Sequence, residues 1–163
     1  MKPMMLIALA ASALATSALA QPTPGTGENA VDPHVVSDAG AAPIAGQRMF
    51  EAFHGEAGIS RIVDDFVTRM VADPRISEIF KATDLVRLRR TLKEQVCYLL
   101  GGPCANTGRD MTTTHMDQGV TAADFHAGVE NLQAAMTKEG VPSRVQNRLL
   151  ARLAQMQGDV VER

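Results

Sequence analysis

The sequence predicts an all-α fold for the part of the chain that follows residue 45. Apolar residues recur there at steps of three and four, and no segment alternates with a period of two. Hydrophobic residues make up 45% of the chain, aromatic residues only 4%, and Trp is absent. A core of Leu, Val, Ile, Met and Ala favours helix packing over a β-rich interior.

The first 45 residues differ in character from the rest. Lys2 precedes an apolar run, and Ala18-Leu19-Ala20 before Gln21 has the small-x-small form of a signal-peptidase site. We therefore expect residues 1–20 to be a signal peptide and the product to be periplasmic or secreted. An uncleaved anchor is the alternative, but the run is shorter than a membrane span of about 20 strongly apolar residues, so we expect no stable membrane insertion after cleavage. Residues 21–45 are rich in proline and lack periodicity, which is typical of a disordered spacer.

Residues 46–163 are predicted to form one helical domain. An amphipathic helix is expected over residues 56–72, with its apolar stripe at Ile59, Ile62, Val63, Phe66, Val67 and Met70. Asp73-Pro74 places a cap before a proline, which predicts a short helix through Phe80. A third helix begins after Asp84 and ends at the glycine pair of Gly101-Gly102-Pro103.

Residues 103–120 lack a long periodic run and form a candidate functional loop, with one helical turn from Met111 to His115. Thr121 and Asp124 have the spacing of a capping box, which predicts a helix that begins there and ends at Gly140. A last helix follows Pro142-Ser143 and continues as far as Val160.

Several classes of function are disfavoured by the composition. The net charge of −2 and the lack of a polybasic patch give no reason to expect nucleic-acid binding. Cys97 and Cys104 have no matching second pair for a zinc cluster, and C-x-x-C-H, phosphate-binding loops and serine elbows are absent from the sequence. Of the four histidines, His115 stands out by its place in the long loop. A hydrogen-bonded core or surface histidine remains the simpler interpretation from the residues alone.

The order of several short motifs changes that interpretation. These are Asp65-Phe66, Phe80, Leu-Gly-Gly-Pro at 100–103, Met111-x-x-x-His115-x-x-x-Gly119 and Gly-Val-Pro at 140–142. Together they resemble the truncated haemoglobins of the first group, over residues 47–161. The resemblance implies a two-over-two helical sandwich that encloses haem b, with His115 as the proximal iron ligand.

The resemblance also implies a set of haem contacts. Phe80 is expected to pack on the porphyrin face and Arg87 to pair with a propionate, although a solvated helix face explains Arg87 equally well. The full set is Phe66, Phe80, Thr83, Arg87, Leu88, Leu92, Val96, Met111, Val120, Phe125 and Leu132.

On the distal side, the chain departs from the family. Many members carry a tyrosine where this sequence has Val67, and the two other distal positions fall on Leu88 and Leu92. The nearest polar candidate is Gln95, one helical turn after Leu92. The implied distal pocket of Val67, Leu88, Leu92 and Gln95 is therefore poor in donors to bound O2, and His126 is a remote alternative ligand expected to face outward.

Other departures concern the turns. The family's glycine pair before the first long helix reads His54-Gly55, so a positive φ at His54 would cost of order 1 kcal/mol. Asn106 replaces an aromatic packing anchor. For Cys97 and Cys104 two alternatives remain open: a disulfide across the glycine turn, or a buried Cys97 with a free Cys104 thiol.

Three hypotheses of function follow. The first is a reversible binder of O2, NO or CO, in which the protein supplies His115 and a dry pocket. The second is a haem enzyme, either an NO dioxygenase that requires an electron donor or a peroxidase, which the apolar distal residues disfavour. The third is a haem-free helical module that binds a protein partner. No catalytic residue is assigned.

Overall fold

The computed structural model describes residues 40–45 and 48–162. The predicted signal peptide 1–20 and residues 21–39 of the predicted spacer lie outside the described residues. The described elements are α1 (Arg48–Ala52), α2 (Gly55–Ala72), a 3-10 helix (Ser77–Phe80), α3 (Leu85–Leu99), α4 (Met111–His115), α5 (Ala122–Lys138), α6 (Ser143–Ala154) and α7 (Gln157–Val160). None of these helices is long and apolar enough to span a bilayer.

The long helices form the expected two-over-two sandwich. Helix α2 packs against both α3 and α5, and α5 packs against α6, so the pair α2 and α3 covers the pair α5 and α6. The core is mostly aliphatic, although the aromatic side chains of Phe53 and Tyr98 are also buried in it. Its completely buried aliphatic side chains include Val63, Val67, Leu99, Met136 and Leu149. The low aromatic content thus reflects a core built from helix-forming residues.

Local capping fixes where two of the long helices begin. The Asp84 carboxylate accepts hydrogen bonds from the backbone N–H groups of Val86 and Arg87 at the start of α3. Thr121 and Asp124 form the predicted capping box at the start of α5: the Asp124 N–H donates to the Thr121 hydroxyl, and the Thr121 N–H donates to the Asp124 carboxylate. Each cap satisfies backbone donors that have no partner within the helix.

Two local predictions were wrong in detail, and one short helix was missed. The single last helix is interrupted after Ala154, because Met156 turns into the core and is only 2% exposed, and α7 begins at the next residue. The short helix expected from Pro74 begins only at Ser77 and is a 3-10 helix, because Asp73 accepts the Arg75 backbone N–H and holds the chain in a turn. Helix α1 was not predicted, since five residues are too few to show a period.

The predicted spacer also extends too far. Residues 40–45, which we call the strap, pack against the domain. Ile44 is only 6% exposed, and its backbone N–H donates to the carbonyl oxygen of Leu99 at 2.8 Å. Proline and small residues in this stretch suggested a loose chain, but an extended segment needs no periodicity to bury one large side chain. The strap is therefore part of the domain.

The turn after α2 predicts a pH dependence of stability. The Asp73 carboxylate accepts hydrogen bonds from the Arg75 guanidinium, the Asn131 amide and the Arg75 backbone N–H, and these contacts hold the pKa of Asp73 far below its usual range. A carboxyl whose pKa is lower in the folded state stabilises the fold above its unfolded pKa of about 3.9, and this contribution is lost as the pH falls below that value.

We therefore expect wild type to have a higher Tm than Asp73→Asn at neutral pH, and this difference to shrink below about pH 4. Thermal unfolding followed by circular dichroism, at a series of pH values from neutral to about 2.5, measures it. A difference that stays constant over the series would contradict the assigned role of the ionised carboxylate.

Candidate functional site

His115 is oriented by the short helix that carries it. The Asp110 carboxylate caps α4 by accepting the backbone N–H of Thr113 at 2.8 Å, and this bond is the largest cause of a lowered pKa at Asp110. At the other end of the turn, Nδ1 of His115 donates to the carbonyl oxygen of Met111 at 2.8 Å. Because a carbonyl only accepts, the proton lies on Nδ1 and the lone pair of Nε2 is available to a metal.

A second contact joins α4 to α3. The amide Nε2 of Gln95 donates to the sulfur of Met111 at 3.4 Å. Leu92 and Leu88 lie one and two helical turns before Gln95, on the same stripe of α3. Both leucines are half-buried and pack against the edge of the core. The apolar stripe of α3 and the turn bearing His115 therefore belong to one site.

The remaining predicted residues divide by exposure. Half-buried side chains, which keep surface available for contact, are Phe66, Phe80, Leu88, Leu92, Met111 and Phe125. Thr83 and Arg87 are exposed at the start of α3. The buried members are Val67, Val96, Val120 and Leu132, and Val67 is completely covered. The four buried side chains thus have little surface left for contact with a ligand, whereas the half-buried ones retain some.

The loop between α3 and α4 is clamped to α3 by a polar cluster that the sequence analysis missed. Glu94 accepts hydrogen bonds from the backbone N–H and the hydroxyl of Thr107, while Arg90 donates to both Glu94 and Thr107. Burial alone would raise the pKa of Glu94, but the Thr107 and Arg90 contacts outweigh it and lower the pKa. The i,i+4 spacing of Arg90 and Glu94 was visible in the sequence, but their loop partner was not.

The structure joins Cys97 and Cys104 in a disulfide, with 5.8 Å between their Cα atoms. The bond lies one helical turn beyond Glu94 and fixes the start of the same loop. Gly102 lies inside this crossing: a Cβ added there would be 2.7 Å from the Cys97 sulfur and 2.6 Å from the ring of Phe50. Only glycine leaves room for the turn. Of the two alternatives for the cysteines, the structure has the disulfide.

Breaking this disulfide is expected to lower the free energy of unfolding by about 2–3 kcal/mol, the chain-entropy estimate for a loop of this size. Cys104→Ser tests it with little disturbance, because Cys104 is half-buried while Cys97 is 2% exposed and fits as a small apolar residue. Urea unfolding is measured with and without a dithiol reductant. We expect the reductant to destabilise wild type and to leave Cys104→Ser unchanged; an equal effect on both proteins would contradict the prediction.

The other described histidines lie elsewhere. His54 precedes α2 with φ 62° and Gly55 follows with φ 63°, so the position does require a left-handed residue and histidine occupies it. The His54 ring lies 3.3 Å from Glu139, which also pairs with Arg61. His126 is exposed, as expected, and its ring contacts Phe125 edge-on.

Asn106, which replaces an aromatic residue in the resemblance, is buried but lacks a full set of hydrogen bonds. Its side chain is buried, with 5% exposure, and its Nδ2 has no hydrogen-bond partner within the described ranges. The amide thus occupies the interior position expected for an aromatic ring without satisfying its own donor.

A separate surface groove of about 420 Å³ lies between α2 and α5. Four of its charged residues pair with one another, Arg61 with Glu139 and Lys138 with Asp65, and Asp64 pairs with Lys93. The groove contains none of the predicted site residues.

Comparison with known proteins gives consistent matches. Residues 48–162 match the family described as bacterial-like globin. The group 1 truncated hemoglobin of Mycolicibacterium paratuberculosis is 29% identical over 69% of this chain and 82% of its own length, and that of Tetrahymena pyriformis is 32% identical over 62% and 84%. The crystal structure of the Tetrahymena pyriformis truncated hemoglobin in its Fe(III) form superposes with a TM-score of 0.68 at 28% identity, over 71% of this chain and 98% of that one.

Proposed function

Because the chain belongs to the bacterial-like globin family and resembles its group 1 truncated haemoglobins, we propose that it binds haem b through His115 and reversibly binds O2, NO or CO. The observation that carries the proposal is the hydrogen bond from His115 Nδ1 to the Met111 carbonyl. It holds the ring in the tautomer that presents Nε2 as a ligand. Haem, when bound, would supply an iron that can accept this nitrogen and bind a diatomic gas.

The described residues fit such a group. A flat apolar ligand requires apolar side chains that are not already covered, and Phe66, Phe80, Leu88 and Leu92 are half-buried at the edge of the core. The acidic edge of the ligand requires a cation, and Arg87 is exposed at the start of the helix that carries the two leucines. The site thus combines one nitrogen donor, an apolar wall and a peripheral cation.

The chemistry of the wall supports simple gas binding. Leu88 and Leu92 are apolar and offer no proton donor. The Gln95 amide, the nearest polar group, contacts the sulfur of Met111. Cleavage of a peroxide bond requires a base and a charge stabiliser beside the reacting oxygen atoms, and the two leucines supply neither.

We further propose that the protein acts outside the cytoplasm. The sequence of residues 1–20 supports export, and the Cys97–Cys104 disulfide is the kind of bond that persists in an oxidising compartment. Mass spectrometry of the N-terminus after expression tests the location. A chain that begins at Gln21 in the periplasm or medium is the expected product; an intact Met1 in the cytoplasm would overturn this part of the proposal.

The haem proposal is tested by adding hemin to the purified protein while recording the visible spectrum. We expect a sharp Soret band that saturates at one hemin per chain and shifts when CO is added to the dithionite-reduced protein. A protein that produces only the broad absorption of free hemin would refute the proposal and would favour a haem-free helical module.

A further inference from the structure

The short helix that carries His115 depends on its surroundings for its position. Helix α4 has five residues, and so short a helix is not stable by itself. Met111 is its first residue and makes two contacts: its carbonyl oxygen accepts the bond from His115, and its sulfur accepts the bond from Gln95. Whatever fixes Met111 therefore also fixes the ring of His115.

The strap lies directly on Met111. Gly40 has a φ of +75°, and a Cβ added to it would lie 2.6 Å from Cγ of Met111 and 2.6 Å from the sulfur of Met156. Cβ atoms do not approach other atoms so closely, so any side chain at residue 40 would push these methionines or the strap away. Met156 is 2% exposed and has little room to yield, which leaves the half-buried Met111 as the side chain that moves.

The other end of the strap is fixed as well. Ile44 is buried, and its N–H donates to the carbonyl oxygen of Leu99 at the end of α3. Ala41 also packs against the core. The strap therefore runs from the first residue of α4 to the last residue of α3, and a displacement at Gly40 cannot be absorbed by a loose chain on its C-terminal side.

We propose that Gly40 is a positioning residue for the iron ligand. Because Gly40 has no side chain, the strap can pack directly against Met111, and Met111 in turn keeps the His115 ring in its orientation. The inference rests on the proposed haem function. Gly40 does not touch the ligand; it acts through Met111.

The experiment compares Gly40→Val with Ala42→Val in the full chain loaded with hemin. Ala42 lies in the same strap but is exposed, so it controls for a new β-branched residue there. We expect Gly40→Val to release hemin to excess apomyoglobin at least about fivefold faster than wild type. The new side chain would displace Met111, and the His115 ring would no longer be held in its orientation. In resonance Raman spectra of the reduced protein, its iron–histidine stretching band should shift or broaden. Ala42→Val should match wild type in both measurements.

The milder Gly40→Ala is included because Gly40→Val can impair folding, and circular dichroism of each variant establishes that its helices form. Intermediate values for Gly40→Ala in both measurements support the inference. If both Gly40 variants match Ala42→Val in hemin release and in the iron–histidine band, the inference is overturned while the haem proposal stands. If wild type itself binds no hemin, both are overturned.

Discussion

Replacing His115 with alanine is expected to abolish saturable hemin binding and the Soret band that accompanies it. The side chain supplies the one nitrogen that the Met111 contact leaves available to a metal, and alanine removes it while keeping the helical turn. His115 is half-buried, and its bond is to a backbone carbonyl within its own turn, so its loss should disturb little else. The measurement is a hemin titration followed in the Soret region.

His126→Ala is the matched control, because His126 is exposed on α5 and is bonded to no residue of the turn. It should bind hemin as wild type does. His115→Gly with imidazole added to the buffer should recover part of the spectrum, since free imidazole can occupy the space of the missing ring. An unchanged Soret band in His115→Ala would assign the ligand to another residue.

The helices were predictable because the information that specifies them is local. The stripe of α2 and the capping box of Thr121 and Asp124 each lie within a few consecutive residues. One helical turn from Met111 to His115 was also expected, and the structure has α4 at these residues, with Asp110 as its cap. Such features depend on sequence spacing alone.

What could not be predicted depends on contacts between distant residues. Gly40 and Ile44 lie in a proline-rich stretch, and the residues that they contact, Met111, Met156 and Leu99, are more than fifty residues away in the sequence. The clamp on Glu94 needs a threonine in a loop whose path has no periodicity. A pattern of residue types carries no record of such partners, so these features appeared only in the folded chain.

The candidate site shows the same difference between features set by local spacing and features set by distant contacts. Motif spacing singled out His115, Leu88 and Leu92 as candidates, but it could not separate surface from interior. Val67 was grouped with the two leucines as a distal residue, whereas the structure leaves Val67 completely buried and the leucines half-buried. This difference decides which position can accept a new polar side chain.

Leu92→Gln is therefore expected to slow O2 release by about tenfold to a hundredfold, because an amide donor to the partly negative bound O2 contributes about 1–3 kcal/mol. Leu92 is half-buried and a glutamine has nearly its length, so the new amide can be accommodated. A tyrosine at Val67 would instead be forced into a filled core, at a cost of about 1–3 kcal/mol in stability. Stopped-flow measurement of O2 dissociation from the reduced protein gives the rates.

Leu92→Met is the control, since it changes the shape of the wall without adding a donor and should leave O2 release within about twofold of wild type. CO release should change little in either variant, because bound CO carries less negative charge than bound O2. Comparing the release of O2 and CO from the two variants separates an electrostatic effect from a packing effect. Slower release of both gases from both variants would indicate a steric barrier. If Leu92→Gln left O2 release unchanged while Gln95→Leu accelerated it, Gln95 would be the donor to bound O2.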